Sequence, residues 1–498
     1  MKQKIIITVI LLALLLSSCG SPTKAPAAKK AALEPTVSVE PGTIQQPQTE
    51  KSVAATSQPR AKAKTEYQPR FESAPCPFEI PAGQVEGETV DCGYLVVPEN
   101  RSDPQTKNIR LSVAIFRHPE GTTNPDPIIY LEGGPGGSPL EMIHFSFDNV
   151  YPPLFAAGRD IIIFDQRGVG NSEPALDCPE VLAQSLETLD FEIDGRQLSK
   201  EEIYALNLES MLACEERLRQ EADLTAYNTV ANAADVNDLR LALGYDQVNL
   251  WSISYGTRLA LGVMRDYPEG IRSAVLDSVY PPDADLYLET PANMDRAFNV
   301  LFDRCVADQT CNQAYPNLQQ VFFETAERLN ANPVSQEITN PLTGESYTAL
   351  LDGDTFMLLT FRLLYDTSTI PLLPKIIYDA SQGSLDLIVQ IRGLILMKLE
   401  AVSRGMYYSV LCHEENPFST LEAHQSVLEG YPELAGVFEN GGTGTLGYQI
   451  CDGWEAGQAA VLENQPVSST IPALVMTGEF DPIAPPAWGK HAVETLEN

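Results

Sequence analysis

The run Trp251-Ser252-Ile253-Ser254-Tyr255-Gly256 constrains this chain more than any other stretch. Before it, Gln247 to Trp251 is short and β-prone; after it, Thr257 to Tyr267 carries helix formers and stops at Pro268. A strand passing straight into a helix through Ser-x-Gly predicts a sharp turn with Ser254 at its apex, where the hydroxyl stands clear of the sheet and is available as a nucleophile. Serine at 252 replaces the glycine usual at the first small position of such a turn, and its side chain is small enough to fit. Taken alone, a serine in front of a helix is more often a cap.

Three further motifs, in a fixed order around this one, favour the chemical reading. Ile128 to Leu131 is an apolar strand running into Glu132-Gly133-Gly134-Pro135-Gly136-Gly137-Ser138, a loop whose backbone N–H groups can face a developing oxyanion. The other such donor is the N–H of the residue after the nucleophile, Tyr255. Asp160 to Phe164 is a buried-type strand ending in Asp165-Gln166-Arg167-Gly168-Val169-Gly170-Asn171-Ser172. Ala473 to Thr477 is a strand followed by Gly478-Glu479-Phe480-Asp481-Pro482, which puts Asp481 just past a strand end, as the acid of a Ser, Asp, His chain order requires.

These four motifs resemble those of the secreted tripeptidyl aminopeptidase and proline iminopeptidase group of α/β hydrolases, and the resemblance runs from about Pro75 to the end. It implies an α/β-hydrolase fold, with a mostly parallel sheet flanked by helices and an inserted α-helical cap. It also implies a serine peptidase that removes residues from the free N-terminus of peptides through an acyl-enzyme, with no cofactor and no metal. Carried over to this sequence, Ser254 is the nucleophile, Asp481 the acid, and the N–H groups of Gly134 and Tyr255 the oxyanion donors; a neighbouring glycine of the loop could replace Gly134. Glu132 stands where the group often has histidine, a position outside the triad.

The base is the difficulty. The histidines are His118, His144, His413, His424 and His491, and the group carries its catalytic one in a loop after the last strand. The residues beyond Asp481 read as a single helix, Pro486 to Leu496, with His491 on it as a surface position. The expectation is therefore a core that stops one strand short, without its terminal strand and histidine loop, and a base outside this sequence.

The N-terminus and the charge bear on location. A basic Met1 to Lys4, an apolar Ile5 to Leu16 and Leu16-Ser17-Ser18-Cys19-Gly20 match a bacterial lipoprotein signal, with Cys19 as the lipidated residue; plain secretion is the alternative. Residues 20–70 are rich in Ala, Pro, Thr, Gln and Lys without apolar periodicity, the composition of a flexible tether. Of the 33 basic and 67 acidic residues, 10 and 4 lie at or before Arg70, leaving a strongly acidic body. Such a body repels nucleic acid and anionic lipid, so the only membrane contact expected is the anchor. It suits a cationic peptide N-terminus, although an acidic surface more commonly serves solubility. Apart from Cys19, eight cysteines fall in local pairs, Cys76 with Cys92, Cys178 with Cys214, Cys305 with Cys311 and Cys412 with Cys451, as expected of disulfides in an oxidising compartment. None has the spacing of a zinc site.

The predicted organisation is a signal peptide over 1–19, a tether over 20–70, a first core part over 71–280 with a helical insertion at about 173–224, a helical cap over 281–466, and a second, incomplete core part over 467–498. For a substrate ammonium, Glu414 and Glu415 are the candidate partners, with Asp352 and Asp354 behind them; each reads equally as a cap or surface acid. Two other functions fit the same residues: carboxylic-ester hydrolysis at Ser254, and a non-catalytic surface lipoprotein that binds peptides.

Overall fold

A computed structural model describes residues 67–498 except Leu342, Glu400, Asn440 and Gly441. The signal peptide, Cys19 and nearly all of the expected tether lie outside the described residues. Eight strands form one sheet: β1 (Arg70–Ser73), β2 (Val90–Pro98), β3 (Asn108–Phe116), β4 (Ile128–Leu131), β5 (Ile161–Phe164), β6 (Val248–Ile253), β7 (Ile271–Asp277) and β8 (Ala473–Met476). Their spatial order is β1-β2-β3-β5-β4-β6-β7-β8. The first three pair antiparallel, as does β3 with β5, and from β5 through β8 every pairing is parallel. The first strand starts at Arg70, so the ordered core begins inside the stretch expected to be tether.

Parallel strands covered on both faces are continuously apolar, and β4 (Ile-Ile-Tyr-Leu) and β5 (Ile-Ile-Ile-Phe) are buried along their whole length. Alternate residues serve opposite faces. Ile162 and Phe164 of β5 join Ile129, Leu131, Val236, Leu259 and Val263 on one side. Ile161 and Ile163 join Tyr130, Phe116, Phe147 and Tyr151 on the other.

Seven helices position the site: α1 (Lys200–Leu218), α2 (Thr229–Ala242), α3 (Tyr255–Asp266), α4 (Leu286–Ala307), α5 (Gly353–Leu363), α6 (Arg404–Glu414) and α7 (Pro486–Ala492). The buried residues Ala233, Val236 and Leu239 put one face of α2 on the sheet, and the Asn228 side chain caps that helix by accepting from Ala231 N–H at 2.9 Å. Between β7 and β8 the chain builds a second apolar core, in which Met294, Phe298, Phe302, Phe322, Phe356 and Ile377 pack together. This region is not purely helical. Val334–Thr339 and Ser346–Leu351 pair as an antiparallel ribbon, because the alternation Val-Ser-Gln-Glu-Ile-Thr ahead of a Thr-Gly-Glu turn suits a strand with one covered face. A smaller ribbon, Glu192–Ile193 with Arg196–Gln197, interrupts the insertion that was expected to be all helix.

All four expected cysteine pairs are disulfides: Cys76–Cys92, Cys178–Cys214, Cys305–Cys311 and Cys412–Cys451. Such cross-links persist in oxidising compartments. No helix among the described residues is long and apolar enough to cross a membrane.

Beneath the sheet's antiparallel end lies a charge that water does not reach. The Arg167 guanidinium is fully buried and grips Asp235 at 2.7 and 2.8 Å, while its third nitrogen donates to the carbonyls of Glu99 and Ala226 at 2.7 and 2.6 Å. Arg101 adds a second cation to the same carboxylate. Removing one partner of a buried pair leaves the other charge uncompensated, which costs about 3–5 kcal/mol. Asp235→Ala should therefore lose a comparable amount of stability in urea unfolding, whereas removal of the exposed Glu72 partner of Arg70 should change it little.

Candidate active site

Ser254 follows β6 directly and precedes α3, with φ 54° and ψ −127°, a conformation that a residue with a side chain rarely adopts. Neighbouring groups hold it there. Its N–H donates to the Asp277 carbonyl at 3.0 Å, and its own carbonyl accepts from the Thr257 hydroxyl at 2.6 Å and the Thr257 N–H at 2.8 Å. Ser252 is fully buried and donates its hydroxyl to the Val275 carbonyl at 2.8 Å, so the departure from glycine is satisfied within the sheet. Gly256 is required by space, since a Cβ there would lie 2.1 Å from the Leu131 carbonyl oxygen.

The glycine loop after β4 lies against this turn. A Cβ on Gly133 would stand 2.9 Å from Ser254 Cβ and 3.4 Å from its Oγ. The Gly133 N–H is occupied, donating to the Glu132 carboxylate at 2.9 Å, whereas the Gly134 N–H has no partner among the described residues. Tyr255 is the first residue of α3, where the backbone N–H has no intrahelical acceptor. Gly134, in the loop against the turn, and Tyr255, directly after Ser254, thus each carry a backbone N–H without a partner among the described residues. Glu132 itself is a brace: its other oxygen accepts from the Tyr130 hydroxyl at 2.9 Å and its carbonyl from Gln166 Nε2 at 2.9 Å.

Asp165 and the cap fix the loop's far end. Asp165 is fully buried and accepts from the Ser138 hydroxyl at 2.8 Å, the Leu140 N–H at 3.3 Å and the Asn171 N–H at 2.8 Å. Burial pushes its carboxyl up to about 6 even against these bonds. From the cap side, Ser403 N–H donates to the Gly136 carbonyl at 2.8 Å and Ser138 N–H to the Ala401 carbonyl at 3.1 Å. The motif Asp-Gln-Arg-Gly-x-Gly-x-Ser therefore supports the loop and the core.

Asp481 lies in the loop after β8, its Oδ1 accepting from the N–H groups of Ile483 and Ala484 at 3.0 and 2.9 Å. It stands close to Asp277, whose carboxyl is raised by burial and by the Asp481 charge. Asp277, whose carbonyl holds Ser254, thus links the turn to Asp481. Sequence reasoning does not single this residue out, although a carboxylate at a parallel strand end is the signal that could have done so.

The histidines are all placed among the described residues, and none hydrogen-bonds to Ser254 or Asp481. His491 meets Asp283 at 2.7 Å, an interaction that raises its pKa. His118, His413 and His424 bond the carbonyls of Phe155, Ala456 and Tyr287 at 2.9, 2.8 and 2.9 Å, and His144 lies 3.9 Å from Glu79.

The expected ammonium partners have another role. Glu414 and Glu415 end α6, nearly fully buried, and Arg258 of α3 meets the first at 3.1 Å and the second at 2.8 Å. Glu414 also accepts from the Thr229 N–H at 2.6 Å and its hydroxyl at 2.7 Å, and Glu415 from the Leu286 N–H at 3.3 Å. Burial opposes the charge on Arg258, yet the two carboxylates outweigh it and raise its pKa. Both glutamates are thereby committed inside the protein and unavailable to an external cation. Asp352 and Asp354 are likewise taken, by Lys200 of α1.

Residues 126–358 match the family model described as alpha/beta hydrolase fold, and residues 439–498 the model described as TAP-like protein. The chain is an α/β-hydrolase-fold protein. It is 26% identical over 245 residues to serine protease Hip1 of Mycobacterium tuberculosis, covering 49% of this chain and 46% of that one. It is 30% identical over 213 residues to tripeptidyl aminopeptidase of Streptomyces coelicolor, covering 42% and 39%. Both matches span less than half of the relative's length. Among solved structures, proline iminopeptidase of Mycobacterium smegmatis aligns with TM-score 0.34 and 15% identity over 81% of this chain and 87% of that one.

The close contacts around the serine make a direct prediction. Gly133→Ala should push the loop off the turn, and Gly256→Ala should force α3 away from β4, each costing about 1–3 kcal/mol or more in unfolding experiments. Gly244→Ala, at φ 77° with open space around its Cβ position, should cost less than Gly256→Ala, because only backbone strain opposes it.

Proposed function

We propose that this α/β hydrolase is a serine peptidase that cleaves near the free N-terminus of peptides through an acyl-enzyme on Ser254. The observation that carries the proposal is the strained turn at Ser254, packed against the glycine loop and held by the carbonyl of Asp277, the residue that stands close to the Asp481 loop carboxylate. In this reading Ser254 Oγ attacks the scissile carbonyl, its oxygen becomes the oxyanion facing Gly134 N–H and Tyr255 N–H, and the proton passes to an imidazole oriented by Asp481. None of the five histidines hydrogen-bonds to Ser254 or Asp481 as they stand in the fold, so the reading leaves the base unassigned. The names of the matched relatives support a peptide substrate over a simple ester, and the acidic body favours a substrate that presents an ammonium group. A peptide-binding lipoprotein without catalysis is the second reading, favoured by the engagement of every histidine elsewhere.

We infer that the protein works outside the cytoplasm, lipid-anchored at Cys19. The disulfides and the lipoprotein-like N-terminus support this location. Radiolabelled palmitate should enter the wild-type protein in its producing cell and not Cys19→Ala; incorporation that survives the substitution removes the anchor.

Turnover decides between the two functions. With the protein isolated from the cell that makes it, Ser254→Ala should lower kcat on peptide amides by at least about 10³-fold, and Asp481→Asn by a large factor with KM little changed. His491→Ala should leave kcat within about twofold. Undiminished turnover in Ser254→Ala overturns the assignment, and absence of turnover in the wild type on both peptides and acyl esters favours the binding protein.

A further inference from the structure

Arginine is always charged, and in a chain this acidic a carboxylate partner is seldom far away. Among the described residues every other arginine forms an ion pair or donates a side-chain hydrogen bond. Arg362 and Arg404 do neither among those residues, and both belong to the region over the active site.

Their placement is specific. Arg404 opens α6 directly after Ser403, the residue whose N–H binds the oxyanion loop at Gly136, so its backbone sits beside that loop. Arg404 is half-buried, a costly position for a cation with no carboxylate. Arg362 is exposed near the end of α5, between Phe361 and Leu363, which share an apolar cluster with Phe480 and Ile483 on either side of Asp481. Tyr407, one turn beyond Arg404, packs with Ile483 and Ala484 in a neighbouring cluster. The two arginines stand on two helices whose neighbouring residues share clusters with the flanks of Asp481, and both act on the Tyr407 phenol. Arg362 and Asp481 likewise both act on the Tyr365 phenol.

We propose that Arg362 and Arg404 form a carboxylate-binding subsite beside the glycine loop that packs against Ser254. Its ligand is the free α-carboxylate of a short peptide or an acidic side chain beyond the scissile bond. This deepens the peptidase reading and rests on it. The guanidinium fork suits a carboxylate in a bidentate contact, and charge-assisted hydrogen bonds of that kind are the stronger class. A site that holds the substrate's C-terminus favours short peptides over long chains, because only a short peptide reaches both Ser254 and the two arginines.

The test separates the subsite from the chemistry by using the Ser254→Ala protein, which binds without turning over. Calorimetric titration compares tetra-alanine, tetra-alanine amide and Ala-Ala-Ala-Glu amide. Tetra-alanine should bind at least about tenfold more tightly than its amide, as a charge-assisted contact implies. The advantage should fall to about one in the Arg362→Gln/Arg404→Gln double variant, with thermal unfolding of that variant checking its fold. If the glutamyl amide binds as tightly as the free acid, the subsite takes an acidic side chain as well; if it binds like the plain amide, the subsite reads the C-terminus. Equal binding of acid and amide, an advantage that survives the double substitution, or no binding of any peptide at millimolar concentration overturns the subsite. None of these results bears on whether Ser254 is the nucleophile, which the loss of turnover in Ser254→Ala decides separately.

Discussion

The turn at Ser254 is the constraint on which the rest of the site depends. Holding a serine at positive φ costs on the order of 1–3 kcal/mol, and the surroundings must over-determine it. They do so with the Asp277 carbonyl on one side, the Thr257 side chain on the other and the Leu131 carbonyl pressed against Gly256. Each contact comes from a different element, so β4, β6, β7 and α3 must all be in register before the hydroxyl reaches its position. The glycine loop then has room only because Gly133 carries no side chain. The position of this serine is thus set by strands across the parallel half of the sheet.

The same helix that begins at the serine anchors the cap. Arg258, one turn into α3, carries two buried carboxylates from the end of α6, and those carboxylates also bind the first N–H of α2 and of α4. A buried cluster of this kind is weak evidence for stability, but it is strict about geometry, because each unpaired member would be a desolvated charge. The Tyr255 hydroxyl joins the cluster through Thr229 at 2.8 Å. Tyr255, the proposed oxyanion donor, is therefore tied by its side chain to that cluster, and Ser403 holds the glycine loop at Gly136.

Features encoded in local sequence are legible from the chain alone. The apolar runs Ile128 to Leu131 and Asp160 to Phe164, the small residues around Ser254 and the glycine loop each need only a few neighbours to make sense, and they mark the strands, the elbow and the order of the motifs. The cysteine pairs are readable for the same reason, each closing a short loop. Partners distant along the chain are not encoded in this way. Glu414 and Glu415 look like free acids because Arg258 lies more than a hundred residues away, and Asp352 and Asp354 look the same until the fold brings Lys200 to them. The ribbon over 334–351 is hidden by the helical text on either side. The role of Asp277 depends on which strands lie adjacent, and that Arg362 and Arg404 have no ion pair or side-chain hydrogen bond among the described residues emerges only once the other described arginines have found their partners.

Covalent capture of the serine tests the central claim most directly. The protein isolated from its producing cell should be treated with a fluorophosphonate, digested and mapped by mass spectrometry, since such a probe reacts with a serine only when its hydroxyl is activated. One adduct is expected, on the peptide containing Ser254, formed at a rate that falls when a peptide substrate is present. An adduct on any other residue, or none under conditions in which the protein cleaves peptides, would contradict it.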